Sequence, residues 1–203
     1  MAIDHFDNEK EQAMRKFASI DKSKKGSVDP LITPILDVIN SHPDYYTTSS
    51  CSGRVMVLAA APGRRKDQVE WPYVTHSCAD PQEIIRAVRA SEEGEVWLKQ
   101  ESAIIHIACR DLSSAERILC IIRDSGFKRA GIIGTERRVM IEVIGTDAVA
   151  IPLGISQDIK VDDDYIKYAA GCCGERMVSN EEKLRKLCKN LESSLKCQDS
   201  TSL

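Results

Sequence analysis

The sequence is short of aromatic residues, which make up 5% of its 203 residues. The core is therefore expected to consist mainly of Ile, Val, Leu and Ala side chains. The chain also lacks an apolar run near the roughly 18 residues needed to span a bilayer, which argues against an integral membrane protein. Its first ten residues lack the basic and then apolar layout of a secretory signal. We therefore expect a cytoplasmic protein with no membrane partner.

No excess of one charge is present, because 28 Lys and Arg residues stand against 31 Asp and Glu residues, for a net charge of -3. This balance excludes a histone-like polycation. With 42% hydrophobic residues, the chain is long enough to bury one sizeable core. It is too short for two domains of typical size. We expect a single α+β domain over residues 1–178, with a C-terminal helix and a frayed tail over residues 179–203 packed on it.

Three common site motifs are absent. There is no GxGxxG after a first strand and no GxxxxGK[ST], so neither a Rossmann dinucleotide site nor a P-loop is predicted. There is also no CxxC pair, and the eight cysteines have no regular spacing. They are interpreted as reduced thiols rather than as a zinc site or a disulfide framework.

Strand and helix patterns alternate through the middle of the chain, and helices are predicted near both ends. Capping patterns predict helices that begin at Asp29-Pro30, Asp80-Pro81, Ser113 and Ser179. Strands are predicted between them, over residues 45–49, 54–61, 69–76, 95–99, 103–110, 130–133, 138–144 and 148–153. This order favours an α+β fold, with a mixed β-sheet flanked by helices, over a doubly wound sheet.

The densest polar segment is Thr47–Arg54, the Thr-Thr-Ser-Ser-Cys-Ser-Gly-Arg motif. Six consecutive hydroxyl or thiol side chains are too polar for a core strand. The motif is typical of a cradle for a polar or anionic ligand, in which Gly53 allows close approach and Arg54 supplies a forked donor. It is equally typical of a polar turn between two strands, which composition alone favours.

Tyr45 and Tyr46 precede this motif and would point to opposite faces of a strand, so we expect only one of them to be buried. The other could stack on a purine or lie over a sulfonium cation. The alternative is an edge-strand tyrosine with a solvated hydroxyl.

His76 and His106 lie at or near the ends of predicted strands, each with a cysteine nearby. His106 and Cys109 are three residues apart, which places them on opposite faces of a regular strand, so they could share a metal ion only through a bulge. His76 and Cys78 could share a face, but two ligands do not make a metal site. We predict no metal. Each histidine is a candidate for a catalytic role or for a hydrogen-bonded core residue.

Basic residues concentrate in three groups: Lys22, Lys24 and Lys25; Arg54, Arg64, Arg65 and Lys66; and Lys128, Arg129, Arg137 and Arg138. They could form one patch for a phosphate backbone, or three separate solvated loops.

Several segments occur together in the order and spacing of the tRNA wybutosine-synthesizing protein 3 family, which the chain resembles from about Arg15 to its last helix. The segments that carry the resemblance are Lys25-Gly26-Ser27-Val28-Asp29, Tyr45–Arg54, Val74-Thr75-His76, Ile105–Arg110, Ser125-Gly126-Phe127 and Ala130-Gly131-Ile132.

This resemblance implies an S-adenosylmethionine-dependent methyltransferase with a non-Rossmann fold. Its implied substrate is ring nitrogen N(4) of the aminocarboxypropyl-demethylwyosine base, next to the anticodon of tRNA-Phe. The anticodon loop is the implied partner, and other enzymes of wybutosine biosynthesis are candidate partners.

The resemblance also suggests roles for individual residues. Either His76 or His106 would act as the general base. The cofactor would be bound by Ser50, Cys51, Ser52, Gly53 and Arg54, and the substrate by Lys25, Ser27, Tyr46 and Arg110. Two alternatives stay open: a non-catalytic tRNA-binding module, and a metal-dependent hydrolase that uses His76, Cys78 and His106.

Overall fold

The computed structural model describes residues 5–18, 29–60 and 69–196. Its helices are α1 (His5–Ala18), α2 (Thr33–Ser41), α3 (Pro81–Arg89), α4 (Leu112–Asp124) and α5 (Asp163–Lys196). Its strands are β1 (Tyr45–Cys51), β2 (Arg54–Ala60), β3 (Glu70–Thr75), β4 (Glu95–Glu101), β5 (Ile104–Cys109), β6 (Gly131–Gly134), β7 (Val139–Ile144), β8 (Val149–Ile155) and β9 (Asp158–Ile159).

The predicted α+β class is confirmed, but the sheet arrangement differs from the single mixed sheet that we expected. The strands form one sheet in the order β1-β5-β7-β6 and another in the order β3-β2-β4-β8-β9. Every described strand pair is antiparallel. Short connections such as those from β6 to β7 and from β8 to β9 permit only antiparallel pairing, because parallel neighbours need a crossover of a dozen or more residues.

The chain divides into two compact units. The first unit comprises residues 1–52, 103–146 and 181–203, and the second comprises residues 53–102 and 147–180. The boundary between them falls inside the polar motif, between Ser52 and Gly53. Within the described ranges, no helix is long and apolar enough to cross a membrane.

In the first unit, one face of the four-stranded sheet packs against α2, α4 and the end of α5. Ile105, Ile107 and Cys109 of β5 point into this core and are fully buried. His106 and Ala108 alternate with them and therefore lie on the opposite face of the sheet. Helix α1 covers part of that opposite face through Phe6.

In the second unit, the five-stranded sheet packs one face against α3 and the first part of α5. The buried side chains on this face include Val55 and Val57 of β2, together with Val96 and Leu98 of β4. Arg54 and Met56 alternate with the buried valines, so they lie on the other face of this sheet.

The first residues of the helices show where a local sequence pattern is enough to predict a helix boundary. Helix α3 begins as predicted: the Asp80 carboxylate accepts a hydrogen bond of 2.8 Å from the Gln82 amide, and Pro81 occupies the first turn. Helix α4 is capped by Asp111 rather than by Ser113. Helix α2 begins at Thr33, after a turn that starts at Asp29.

Helix α5 begins at Asp163 rather than at Ser179, where the capping pattern placed a helix start, so residue 179 lies inside a continuous helix. No proline interrupts the earlier segment, and capping residues are tolerated inside a helix when one side of it is buried. The buried residues of that earlier segment are Ile166, Ala169, Ala170, Cys173 and Met177.

The turn from β8 to β9 depends on Gly154, whose φ of 141° is a conformation that L side chains rarely adopt. A Cβ at this position would lie 2.7 Å from the Asp158 carbonyl oxygen and 2.8 Å from the Lys160 amide nitrogen. We expect Gly154→Ala to lower the free energy of unfolding by about 2 to 4 kcal/mol, measured by urea denaturation.

Gly131→Ala is the matched control, because a Cβ there would have no neighbour within 4 Å. It should change the free energy of unfolding by no more than about 0.5 kcal/mol. Equal losses in both variants would contradict this account of the β8–β9 turn.

Candidate active site

The Thr47–Arg54 motif runs from β1 through the link between the strands to the first residue of β2. The β1–β5 register shifts between Thr47 and Ser49, which leaves Thr48 as a bulged residue. In a regular strand Ser49 would share a face with Thr47, whose amide donates to Asn40 of α2. The bulge reverses this alternation, so Ser49 faces the opposite side and lies across from His106.

His106 lies between two polar side chains of neighbouring strands. Its Nδ1 atom is 2.7 Å from the Ser49 hydroxyl oxygen, and its Nε2 atom is 3.0 Å from Glu142 Oε2 of β7. An ionised carboxylate only accepts hydrogen bonds, so Nε2 carries the hydrogen beside Glu142. In the neutral ring Nδ1 is then the acceptor nitrogen and receives the hydrogen bond from Ser49.

Ser52, the last residue of the motif that belongs to the first unit, is hydrogen-bonded to Asp29. The fully buried Ser52 donates its hydroxyl hydrogen to the Asp29 carboxylate. The other oxygen of that carboxylate accepts a 3.0 Å hydrogen bond from the Leu31 amide. Ser50 and Cys51 are half-buried and lie opposite Ile105 and Ile104 of β5. Asp29 therefore fixes the position at which the motif leaves β1.

The second unit begins at Gly53, whose φ of 103° favours glycine. The Gly53 carbonyl oxygen lies 2.8 Å from Nδ1 of His76, which follows β3. A carbonyl oxygen only accepts, so Nδ1 of His76 carries the hydrogen of this bond.

Arg54 lies opposite Glu101 in the β2–β4 pair. Its Nε atom and one terminal nitrogen lie 2.9 and 2.8 Å from Glu101 Oε2. The guanidinium also lies over the Trp71 ring, 4.6 Å from its centroid. The indole is 41% exposed, and both charged side chains remain partly exposed. This group therefore presents a positive charge, a negative charge and an aromatic face together.

Tyr45 and Tyr46 are both buried, so the expectation that only one of them could be buried is wrong. Tyr45 points into the core of the first unit, and its hydroxyl donates to the Ser114 carbonyl oxygen at 2.9 Å. Tyr46 lies on the other face, where Phe6 of α1 covers it at a centroid distance of 5.2 Å. The sequence pattern could not indicate that a helix covers this second face.

The Tyr46 hydroxyl makes two hydrogen bonds: it accepts from Arg138 at 2.9 Å and donates to Glu9 at 3.0 Å. Burial raises the pKa of the Tyr46 phenol, and the Arg138 hydrogen bond acts in the opposite direction. The side chain is 1% exposed, so neither face of its ring is open to a stacked base.

Arg110, the other described residue that we expected at the substrate, binds α1 to the sheet. It forms ion pairs with Asp7 of α1 and with Asp44, and its guanidinium lies 4.6 Å from the Phe6 ring centroid. The hydrogen bond with Asp7 raises the pKa of the guanidinium. Lys25 and Ser27 lie outside the described residues.

The described ranges contain no group of three or more His, Cys, Asp and Glu residues that could hold a metal ion. Cys109 lies in the buried core of the first unit, whereas His106 faces the other side of β5. Burial raises the pKa of the Cys109 thiol to about 12. This thiol therefore stays protonated at neutral pH and is a poor metal ligand.

The family described as Methyltransferase TYW3 matches residues 8–193. The chain belongs to this methyltransferase family. Its zebrafish (Danio rerio) relative, named tRNA wybutosine-synthesizing protein 3 homolog, is 30% identical over 200 residues, covering 97% of this chain and 78% of that protein. The family expected from the sequence motifs is therefore confirmed.

The rice (Oryza sativa subsp. japonica) relative of this TYW3-family chain is named tRNA wybutosine-synthesizing protein 2/3/4. It is 34% identical over 199 residues, covering 88% of this chain, and the chain spans 19% of the rice protein's length. Among solved structures, the PH1069 protein of Pyrococcus horikoshii matches with a TM-score of 0.84 and 27% identity. That match covers 92% of this chain and 95% of the archaeal chain, which agrees with the non-Rossmann α+β fold.

The residues that we expected at the site divide between the two units. His106 belongs to the first unit, together with Ser50, Cys51 and Ser52, whereas His76 belongs to the second, together with Gly53 and Arg54. Several partners that the structure places beside these residues were not among the predicted site residues: Asp29, Ser49, Trp71, Glu101 and Glu142. Ser49 and Asp29 lie in segments that carry the resemblance, and the other three become visible only once strand pairing is known.

Proposed function

We propose that this TYW3-family protein is an S-adenosylmethionine-dependent tRNA methyltransferase. Its proposed substrate is N(4) of the aminocarboxypropyl-demethylwyosine base beside the anticodon of tRNA-Phe, and its proposed location is the cytoplasm. Family membership supports methyl transfer. The names of the zebrafish and rice relatives support wybutosine synthesis on tRNA.

The observation that carries the cofactor assignment is the Arg54–Glu101 pair against Trp71. The amino-acid end of S-adenosylmethionine bears a carboxylate and an ammonium group. Arg54 can donate a forked pair of hydrogen bonds to the carboxylate, and Glu101 can accept from the ammonium. The exposed Trp71 ring offers a surface for a cation or for an adenine ring. These residues therefore fit the charge pattern of this cofactor.

When bound, the cofactor supplies an electrophilic methyl group on a sulfonium. We assign its binding to the consecutive residues Ser50, Cys51, Ser52, Gly53 and Arg54. Within this motif, Ser52 holds its position through the hydrogen bond to Asp29. Orientation of the reactants is the main contribution expected from such a site.

Methylation of a ring nitrogen that carries a proton also requires a base. One ring nitrogen of each histidine donates a hydrogen bond to an oxygen, Nδ1 in His76 and Nε2 in His106. The neutral form of either ring therefore has its lone pair on the other nitrogen, as a general base requires.

The tRNA is the proposed partner. Lys25 and Ser27 stay predictions for contacts to its phosphates, which would make binding sensitive to salt. Tyr46 and Arg110 are already engaged in packing and ion pairs, so we do not assign them to the substrate.

The test is calorimetric titration of the protein with S-adenosylmethionine, followed by incubation with tRNA-Phe from cells that lack the protein. Mass spectrometry of the digested tRNA should show the modified base gaining one methyl group. Absence of cofactor binding, with and without tRNA, would contradict the enzyme and favour the non-catalytic tRNA-binding module.

A further inference from the structure

Three side chains on adjacent strands of the first unit form a continuous hydrogen-bonded row: Ser49 of β1, His106 of β5 and Glu142 of β7. His106 lies directly opposite Ser49 on one side and directly opposite Glu142 on the other. The two hydrogen bonds measure 2.7 and 3.0 Å. Ser49 is exposed, whereas the His106 and Glu142 side chains are 24% and 33% exposed. The row therefore begins at solvent and ends at a carboxylate.

We propose that Ser49, His106 and Glu142 form a proton relay that removes the proton of the methyl-accepting nitrogen. This inference rests on the proposed function. The nitrogen–methyl bond forms as the carbon–sulfur bond of the donor breaks, and the electron pair of that bond stays on sulfur. The proton on the nitrogen passes to Ser49 Oγ while the Ser49 hydroxyl proton passes to Nδ1 of His106. The relay then holds one imidazolium, which later releases its proton to water.

Glu142 acts in this relay as a positioning residue. Its carboxylate accepts from Nε2–H, which keeps Nδ1 unprotonated and directed at Ser49. The same carboxylate stabilises the positive charge that appears on the ring when Nδ1 takes the proton. This arrangement follows the roles of serine, histidine and carboxylate in hydrolases, but with the two ring nitrogens exchanged.

His76 contacts the backbone at the start of the second unit. Nδ1 of His76 donates to the neutral carbonyl group of Gly53. His76 therefore fits a role in fixing the Gly53 backbone.

Other charged groups on this face of the sheet are engaged elsewhere. Glu9 of α1 and Arg138 are paired at 3.6 Å beside the Tyr46 hydroxyl. Tyr46 lies opposite Ala108, which is two residues along β5 from His106. Within the described part of the chain, Glu142 is the charged group hydrogen-bonded to His106. The bulge at Thr48 is needed as well, because without it Ser49 would turn to the other face of β1.

The decisive variant is Glu142→Gln, which keeps the shape of the side chain and removes its charge. We expect kcat, measured with saturating S-adenosylmethionine and tRNA-Phe, to fall about 10- to 100-fold. His106→Ala should lower kcat about 100-fold or more. Cofactor affinity by calorimetry should stay within about twofold in both variants.

A second measurement does not depend on catalysis. Nitrogen-15 NMR of the wild-type protein should show the His106 hydrogen on Nε2, and Glu142→Gln should yield a mixture of tautomers. Glu116→Gln, an exposed substitution on α4, is the control and should leave both kcat and the tautomer unchanged.

An unchanged kcat in Glu142→Gln, or a His106 hydrogen found on Nδ1 rather than on Nε2 in the wild-type protein, would overturn the relay. If the wild-type protein transfers no methyl group, the proposed function fails, and the NMR result then reports the hydrogen-bonded row alone.

Discussion

Replacing Arg54 by alanine should weaken S-adenosylmethionine binding about 10- to 100-fold, because a charge-assisted contact contributes about 1.5 to 3 kcal/mol. Methylation at limiting cofactor should fall in parallel. The free energy of unfolding should change by less than about 1 kcal/mol, because the Arg54–Glu101 pair is partly exposed and such pairs stabilise folding weakly. Calorimetric titration and urea denaturation of the same preparation measure both quantities.

Arg89→Ala is the matched control for this experiment. Arg89 of α3 pairs with Asp163 at 2.7 Å, and this pair also belongs to the second unit and is also partly exposed. Its removal should leave cofactor affinity at the wild-type value. If Arg54→Ala lowered stability and left the affinity intact, Arg54 would be a structural residue, and the cofactor assignment would have to move.

The Arg54–Glu101 pair shows which information a sequence carries and which it does not. Composition and order identified the motif and the arginine at its end, because these are local properties of consecutive residues. Glu101 is far from Arg54 in the sequence and becomes its neighbour only through the β2–β4 pairing. Pairing partners are set by the packing of whole strands, so a single sequence gives little indication of them.

The same distinction explains the fold. The boundaries of β2 and β5 were predicted within about two residues, since each strand carries its own apolar pattern. The division into two sheets was missed, because it depends on which strands become neighbours. The bulge at Thr48 was missed too, since a bulge is defined by the partner strand as much as by its own residues.

Tyr46 is the residue for which the structure most changes the sequence interpretation. We expect Tyr46→Ala to lower the free energy of unfolding by about 3 to 5 kcal/mol, as large buried aromatic residues do when truncated. The variant removes the contact with Phe6 and leaves Arg138 and Glu9 without the hydroxyl that lies between them. Thermal or urea denaturation, followed by circular dichroism, measures this loss.

The Tyr46→Phe variant distinguishes a role of Tyr46 in packing against Phe6 from a role in binding tRNA. It keeps the ring against Phe6 and removes only the hydroxyl, so it should cost about 1 kcal/mol or slightly more. Methylation per folded molecule should stay within about twofold of wild type, because a ring that is 1% exposed offers no stacking surface to a nucleobase. A large rise in the KM for tRNA in Tyr46→Phe, without a loss of stability, would return Tyr46 to the substrate site and would require α1 to move away from β1 when tRNA binds.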